Sequence, residues 1–239
     1  MSSKTKIALA VLLGFIFISS MPFLLLYVLK RTPSTVMFPP QVKITIPEGY
    51  SVKDIAEKFV GFKNFNKDNF LKIADGKEGY LFPDTYFFTS LETEEEIIKK
   101  MESNFKEKAG DVEPEIIVMA SILEKEALTP EDKKIVSGIL WKRLETGMLL
   151  QVDAVFMYIM GKKSSDLTLG DLKIDSPYNT YLYKGLPPSP ICNPGIESIE
   201  ASLNPTASSY WYYLSDKNLN IHFAKNFDEH KLNKAEYLR

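Results

Sequence analysis

Two carboxylates, Glu124 and Glu126, flank Lys125 at the end of the apolar segment EPEIIVMASILEKEA, residues 113–127. A carboxyl that closes a buried helix sits where water is scarce, and desolvation disfavours its charged form. Such a group keeps its proton near neutral pH and can hand it to a glycosidic oxygen. At about 100° per residue, Glu126 projects on the side of Met119 and Ile122, and Glu124 on the side of Ile117 and Ala120. Helix geometry does not choose between them. The plain alternative is that both solvate the helix end and pair with Lys125 or Lys133.

Two further clusters have the chemistry to line a cleft. Leu150-Gln151-Val152-Asp153 sets an amide and a carboxylate two positions apart, although Asp153 as a simple helix cap fits equally well. Ser176-Pro177-Tyr178-Asn179-Thr180-Tyr181 offers amide, hydroxyl and aromatic groups suited to sugar hydroxyls and sugar faces, or else a rigid surface loop. Other chemistries are poorly served. There is no G-x-S-x-G, phosphate-binding loop or H-E-x-x-H string, and His222 and His230 are the only histidines. A multi-histidine metal site is therefore excluded and a Ser-His triad is disfavoured. No metal or cofactor is expected, and catalysis should rest on carboxylates. The single cysteine, Cys192, lies between proline-containing turns and reads as structural.

Charge narrows the partners. The 239-residue chain carries 29 Lys+Arg against 31 Asp+Glu. Residues 1–31 hold Lys4, Lys6, Lys30 and Arg31 and no acid, so 25 basic face 31 acidic residues in the remainder. An acidic domain is a poor nucleic-acid binder, whereas a near-neutral glycan suits it.

The elements that must hold these residues can be read in order. Ile7 to Leu29 is a run of 23 uncharged residues, which as a helix reaches roughly 34 Å and spans a hydrocarbon core of about 30 Å. No A-x-A-like cleavage site follows it, so an anchor is expected rather than a signal peptide. Lysines and an arginine flank both ends, so the positive-inside rule gives no winner; the short leading tail favours an N-terminus inside.

Pro-rich residues 32–41 form a linker. VKITI (42–46) alternates as a strand, and Ser51 with Asp54 opens a helix with a capping box. A second short helix runs from about Lys67 to Ala74, giving a small βαα unit over 42–77. Residues 78–89, EGYLFPDTYFFT, are strand-like and aromatic. Thr93 with Glu96 caps the next helix. The 113–127 helix, apolar on nearly all sides, belongs at the centre. Thr129-Pro130 opens a helix that Gly147 ends, and a short helix spans about Asp153 to Met160. The loop 175–195 precedes a helix near 198–203, a hairpin from WYYL (211–214) and NIHFA (220–224), and a polar helix from about Asp228. The fold class expected is α+β: an N-terminal transmembrane helix, the βαα module, and a mainly helical domain over 78–239 with a β-hairpin.

The strings EGYLFPDTY (78–86), ASILEKEA (120–127), RLETGMLLQVDAVFMY (143–158), SPYNTY (176–181), GLPPSPICNPG (185–195), SIEASLNP (198–205) and the late pair His222-Phe223 resemble, in order and spacing, the MltG (YceG-like) endolytic murein transglycosylases. The resemblance implies a lytic reaction on peptidoglycan strands. One glutamic acid protonates the oxygen leaving C4 of N-acetylglucosamine. As carboxylate, it then takes the proton of the N-acetylmuramic C6 hydroxyl, which closes on C1 to leave a 1,6-anhydro end.

Carried over, the catalytic acid falls on Glu126. Gln151, Asp153 and Asn179 fall on cleft positions, Tyr181 belongs to the same cleft string, and Glu78 and Asp84 fall in a further family motif assigned to substrate. The resemblance also implies a LysM-like module, here shortened to 42–77. It implies an extracytoplasmic domain held at the bacterial plasma membrane by a single span, and wall-synthesis enzymes such as penicillin-binding proteins as partners. Two alternatives stand beside it: a muramidase-type hydrolase in which Asp153 or Glu124 activates water, and a non-catalytic glycan-binding scaffold.

Overall fold

The computed structural model describes residues 39–238, together with Lys4 and Met21. The N-terminal unit, Met1–Pro39, is thus covered only at Lys4, Met21 and Pro39, and the expected membrane span 7–29 lies outside the described residues apart from Met21. Among the described residues no helix is long and apolar enough to cross a membrane. Residues 40–239 form one compact unit.

The alternation at 42–46 becomes strand β1 (Gln41–Thr45). Ser51 then caps helix α1 (Val52–Lys58) through the expected box: Asp54 N–H donates to Ser51 Oγ at 3.2 Å and Ser51 N–H to Asp54 Oδ2 at 2.9 Å. Asn66 caps α2 (Lys67–Ile73). Strand β2 (Thr85–Thr89) returns antiparallel to β1, pairing Ile44 with Tyr86 and Val42 with Phe88. The strand-like segment within 78–89 thus closes the βαα unit into βααβ. Period-2 alternation turns Tyr86 and Phe88 inward and leaves Phe87 exposed, and the paired strand supplies the hydrogen bonds β2 needs.

Helix α3 (Glu94–Ala109), capped by Thr93 and Glu96, adds Ile97, Ile98 and Met101 to the same core. Phe59 sits at its centre, ringed by Phe62, Phe65, Phe70 and Phe88 with centroids 5.0 to 6.3 Å away. Complete burial of such a ring contributes about 2–3 kcal/mol. This core runs from Ile44 to Met101 and does not stop at residue 77, the expected module boundary.

Helix α4 (Pro114–Glu126) buries an unbroken run from Ile117 to Leu123, as an all-round apolar helix must. It packs against α5 (Pro130–Glu145) and α7 (Ile196–Leu203). Thr129 caps α5 by accepting from Asp132 N–H at 3.1 Å. Gly138 of α5 makes the close approach possible, since a Cβ there would lie 2.1 Å from Thr206 O. Short helix α6 (Val155–Met160) follows. The chain ends in the hairpin of β3 (Tyr212–Ser215) and β4 (Ile221–Ala224), covered by α8 (Phe227–Tyr237).

Buried Asn193 stitches the 185–195 loop to the βααβ unit. Its Oδ1 accepts from Gly79 and Leu81 N–H at 3.0 and 2.8 Å, and its main chain exchanges bonds with Gly49 and Tyr50. Cys192 is buried in the same stretch, its thiol 3.3 Å from Ser121 O.

Candidate active site

Helix α4 stops at Glu126 because Ala127 turns to extended backbone, φ −140° and ψ 144°. The carboxyl projects from this end into a partly buried place between two segments. On one side Ala154 N–H donates to Oε1 at 3.3 Å. On the other the Tyr213 hydroxyl of β3 donates to Oε2 at 3.0 Å. Burial pushes the Glu126 pKa up to about 7. The Tyr213 bond works against that rise, the nearby Asp153 adds to it, and Ala154 N–H and Arg143 oppose it. Tyr213 itself is raised well above the usual phenol value, chiefly by burial and then by Glu126, so it stays a donor.

Asp153 comes to this place through a strained turn. Gln151 adopts φ +51°, a left-handed conformation that a non-glycine residue holds only when its surroundings enforce it. Here Gln151 N–H donates to Thr180 O at 3.1 Å and Val152 N–H to Thr180 Oγ1 at 3.0 Å. The Gln151 side chain is left exposed. Tyr181 Oη donates to Asp153 Oδ1 at 2.5 Å. Burial and this carboxylate both raise the Tyr181 phenol, which therefore holds its proton.

Thus Glu126, Asp153 and Tyr181 gather in one place, with Gln151 on the turn beside them. Asn179 reaches it only indirectly. Its side chain is buried, with Nδ2 donating to Leu172 O and Ile174 O at 3.0 and 2.9 Å, and Oδ1 accepting from Tyr181 N–H at 2.9 Å. Its amide shapes the loop that presents Tyr181.

Glu78 stands elsewhere, accepting from Val52 N–H and Asn193 Nδ2 at 3.1 Å each, with burial raising its pKa to about 7. Asp84 is exposed at the start of β2. Asn104 Nδ2 at 3.0 Å holds its pKa below the usual carboxylate range. Neither bonds to a group that touches Glu126.

The two glutamates that helix geometry left equivalent are sharply different in their surroundings. Glu124 Oε2 accepts from Ser198 Oγ at 2.6 Å, Gly195 N–H at 3.1 Å and Lys133 Nζ at 3.4 Å. Its ion pair with Lys133 is buried, the two side chains being 9% and 4% exposed. Glu124 is thereby committed to fastening α7 and α5. Glu126 keeps acceptor capacity free for a ligand.

Tyr213, Arg143 and the Ala154 amide were not singled out in the sequence. WYYL carries the available signal for Tyr213: alternation along β3 sends Tyr212 toward Phe227 and His230 of α8 and Tyr213 the other way. The histidines belong to that far face, where His222 bonds Asp216 at 3.1 Å and stacks on Tyr237. Among the described residues no cluster of three His, Cys, Asp or Glu side chains suits a metal ion. A hollow of about 400 Å³ lined by Trp141, Leu144 and residues 186–188 does not include Glu126.

Comparison with known proteins agrees with this arrangement of elements. The model of the YceG-like family matches residues 25–236. An endolytic murein transglycosylase of Bacillus subtilis (strain 168) is 38% identical over 186 residues, 73% of this chain and 50% of that protein. An endolytic murein transglycosylase of Streptococcus pneumoniae serotype 2 (strain D39 / NCTC 7466) is 35% identical over 178 residues, 67% of this chain and 32% of that protein. The chain thus spans half the length or less of these curated relatives. A crystal structure of a yceG-like protein from Listeria monocytogenes superposes with a TM-score of 0.71 at 32% identity, covering 86% of this chain and 80% of that one. The chain belongs to the YceG-like family.

Proposed function

We propose that this protein is an endolytic peptidoglycan lytic transglycosylase whose acid is Glu126. The observation that carries the reading is the Glu126 carboxyl, desolvated to a pKa of about 7 and held between Tyr213 Oη and Ala154 N–H. Near neutral pH such a group is partly protonated, able first to give a proton and then to take one. Glu126 protonates O4 of N-acetylglucosamine as its bond to C1 of N-acetylmuramic acid breaks. The C6 hydroxyl of the muramic residue attacks C1, and the Glu126 carboxylate receives that hydroxyl's proton. The acid is regenerated, no water is consumed, and a 1,6-anhydro end results. Asp153, oriented by Tyr181, contributes negative charge beside the developing oxocarbenium ion. Gln151 reaches the glycan from its strained turn, Asn179 supports Tyr181 from behind, and Glu78 and Asp84 contact more distant parts of the strand.

The same reading makes residues 1–31 a single-span anchor in the bacterial plasma membrane, with the enzyme outside the cytoplasm. Residues 42–77 are then a shortened LysM-like module, and penicillin-binding proteins are partners that supply nascent strands. A second reading, hydrolysis of the same bond with Asp153 activating a water, is favoured by one feature: a second carboxylate, Asp153, acts electrostatically on Glu126 from the neighbouring turn. Cleavage of uncross-linked glycan strands by the full-length protein, with the new ends read by mass spectrometry, separates the two. Anhydro ends support the lyase, and reducing ends support the hydrolase.

A further inference from the structure

Arg143 lies in the last turn of α5 and is 5% exposed. Its guanidinium bonds go to main-chain carbonyls: Nη1 donates to Leu150 O at 2.5 Å, while Nε and Nη2 donate to Trp211 O at 3.0 and 2.7 Å. The Tyr212 ring centre stands 5.3 Å from Cζ. These two carbonyls belong to the two segments that touch Glu126. Leu150 opens the turn leading through Asp153 to the Ala154 amide, and Trp211 precedes the strand that carries Tyr213. Burying a cation is costly, and a neutral side chain of similar volume would fill the space without that penalty.

We propose that Arg143 is the positioning residue of the Glu126 site: its fork sets the 150–154 turn and β3 in the register that aims Ala154 N–H and Tyr213 Oη at the carboxyl, and its charge stands behind that carboxyl. The proposal rests on the reading of Glu126 as proton donor. The titratable neighbours are Lys142 on α5, Tyr212 and Tyr213 on β3, Glu126 on α4, Tyr181 on the loop and His230 on α8. Asp153 faces Glu126 from the turn. In that company Arg143 is the cation that opposes the rise caused by burial and Asp153.

The test uses the full-length protein and the variants Arg143→Met, Arg143→Gln and Arg143→Lys. The Glu126 carboxyl is followed by carbon NMR against pH, its signal assigned from Glu126→Gln. With the charge gone, its titration midpoint moves upward by roughly half a pH unit or more, and the alkaline limb of strand cleavage moves with it. The lysine variant keeps the midpoint near wild type. Because it lacks the fork, its kcat falls about tenfold while KM stays close to wild type. Neutral variants that fold and titrate at the wild-type midpoint overturn the proposal. Should Arg143→Met not fold, Arg143→Gln, whose amide still reaches one carbonyl, gives the same reading. A lysine variant with wild-type kcat also overturns the claim of positioning. The NMR midpoint does not depend on the bond cleaved. A wild-type protein that cleaves no strand therefore defeats the assigned reaction while the effect of Arg143 on Glu126 is still measured.

Discussion

The hydroxyl of Tyr213 donates to Glu126 Oε2 across 3.0 Å, joining residues 87 positions apart. This bond favours the charged carboxylate and so restrains the rise that burial produces. Tyr213→Phe removes it without changing the ring. Glu126 should then titrate higher, moving the alkaline limb of the pH profile upward, and kcat should fall about tenfold for a lost hydrogen bond to a charged group. Steady-state cleavage rates across pH check both effects. A Phe variant with an unmoved limb would separate Tyr213 from the acid.

Glu124 and Glu126 should fail in opposite ways. Glu124→Gln leaves Lys133 buried without its counter-charge, so unfolding in urea should show a loss of about 3 kcal/mol. Glu126→Gln keeps the neutral shape the site already tolerates and should hold stability while cleavage falls at least about a hundredfold. If the Glu124 variant is the inactive, stable one, the assignment of the acid is reversed.

The raised carboxyls also predict a pH dependence of stability. Glu126 and Glu78 both have folded pKa values of about 7 against an ordinary carboxyl value of 4.5. Between those values the folded state binds more protons than the unfolded one, so stability is highest at the acidic end and declines as pH rises from 4.5 toward 7. Each group contributes at most about 3 kcal/mol to that decline, less where solvent screens it. Urea midpoints from pH 4 to 8 should show it. Glu126→Gln and Glu78→Gln should each flatten part of the curve, and an unchanged slope in both variants would contradict the burial of these groups.

The aromatic core of the βααβ unit offers a test away from the site. Phe59 is fully buried at the meeting point of four phenylalanines. Phe59→Ala should cost about 3–5 kcal/mol in chemical denaturation. A value below about 1 kcal/mol would mean that this ring cluster is not the core of the unit.

What could be read from residues alone follows the range of the forces involved. The capping pairs Ser51 with Asp54 and Thr93 with Glu96 act over three residues, and both caps stand where the pattern puts them. The all-round apolarity of residues 116–123 likewise places α4 at the centre. The strand character of residues 78–89 is legible locally, but the pairing of β2 with β1 joins residues forty or more positions apart and leaves no local trace. The choice between Glu124 and Glu126 depends on Lys133, Gly195, Ser198 and Tyr213, groups that only the tertiary fold assembles. Asn179 has the right chemistry for a sugar, but its amide is taken by the backbone that orders the loop. No helical or strand period could have shown that.

The most direct test of the central claim is the chemistry of the new ends. Full-length protein and its Glu126→Gln variant are incubated with uncross-linked glycan strands, and the products are read by mass spectrometry. The lytic account predicts 1,6-anhydromuramic ends from the wild type and none from the variant. Reducing ends from the wild type, or anhydro ends that persist in a folded Glu126→Gln protein, would contradict it.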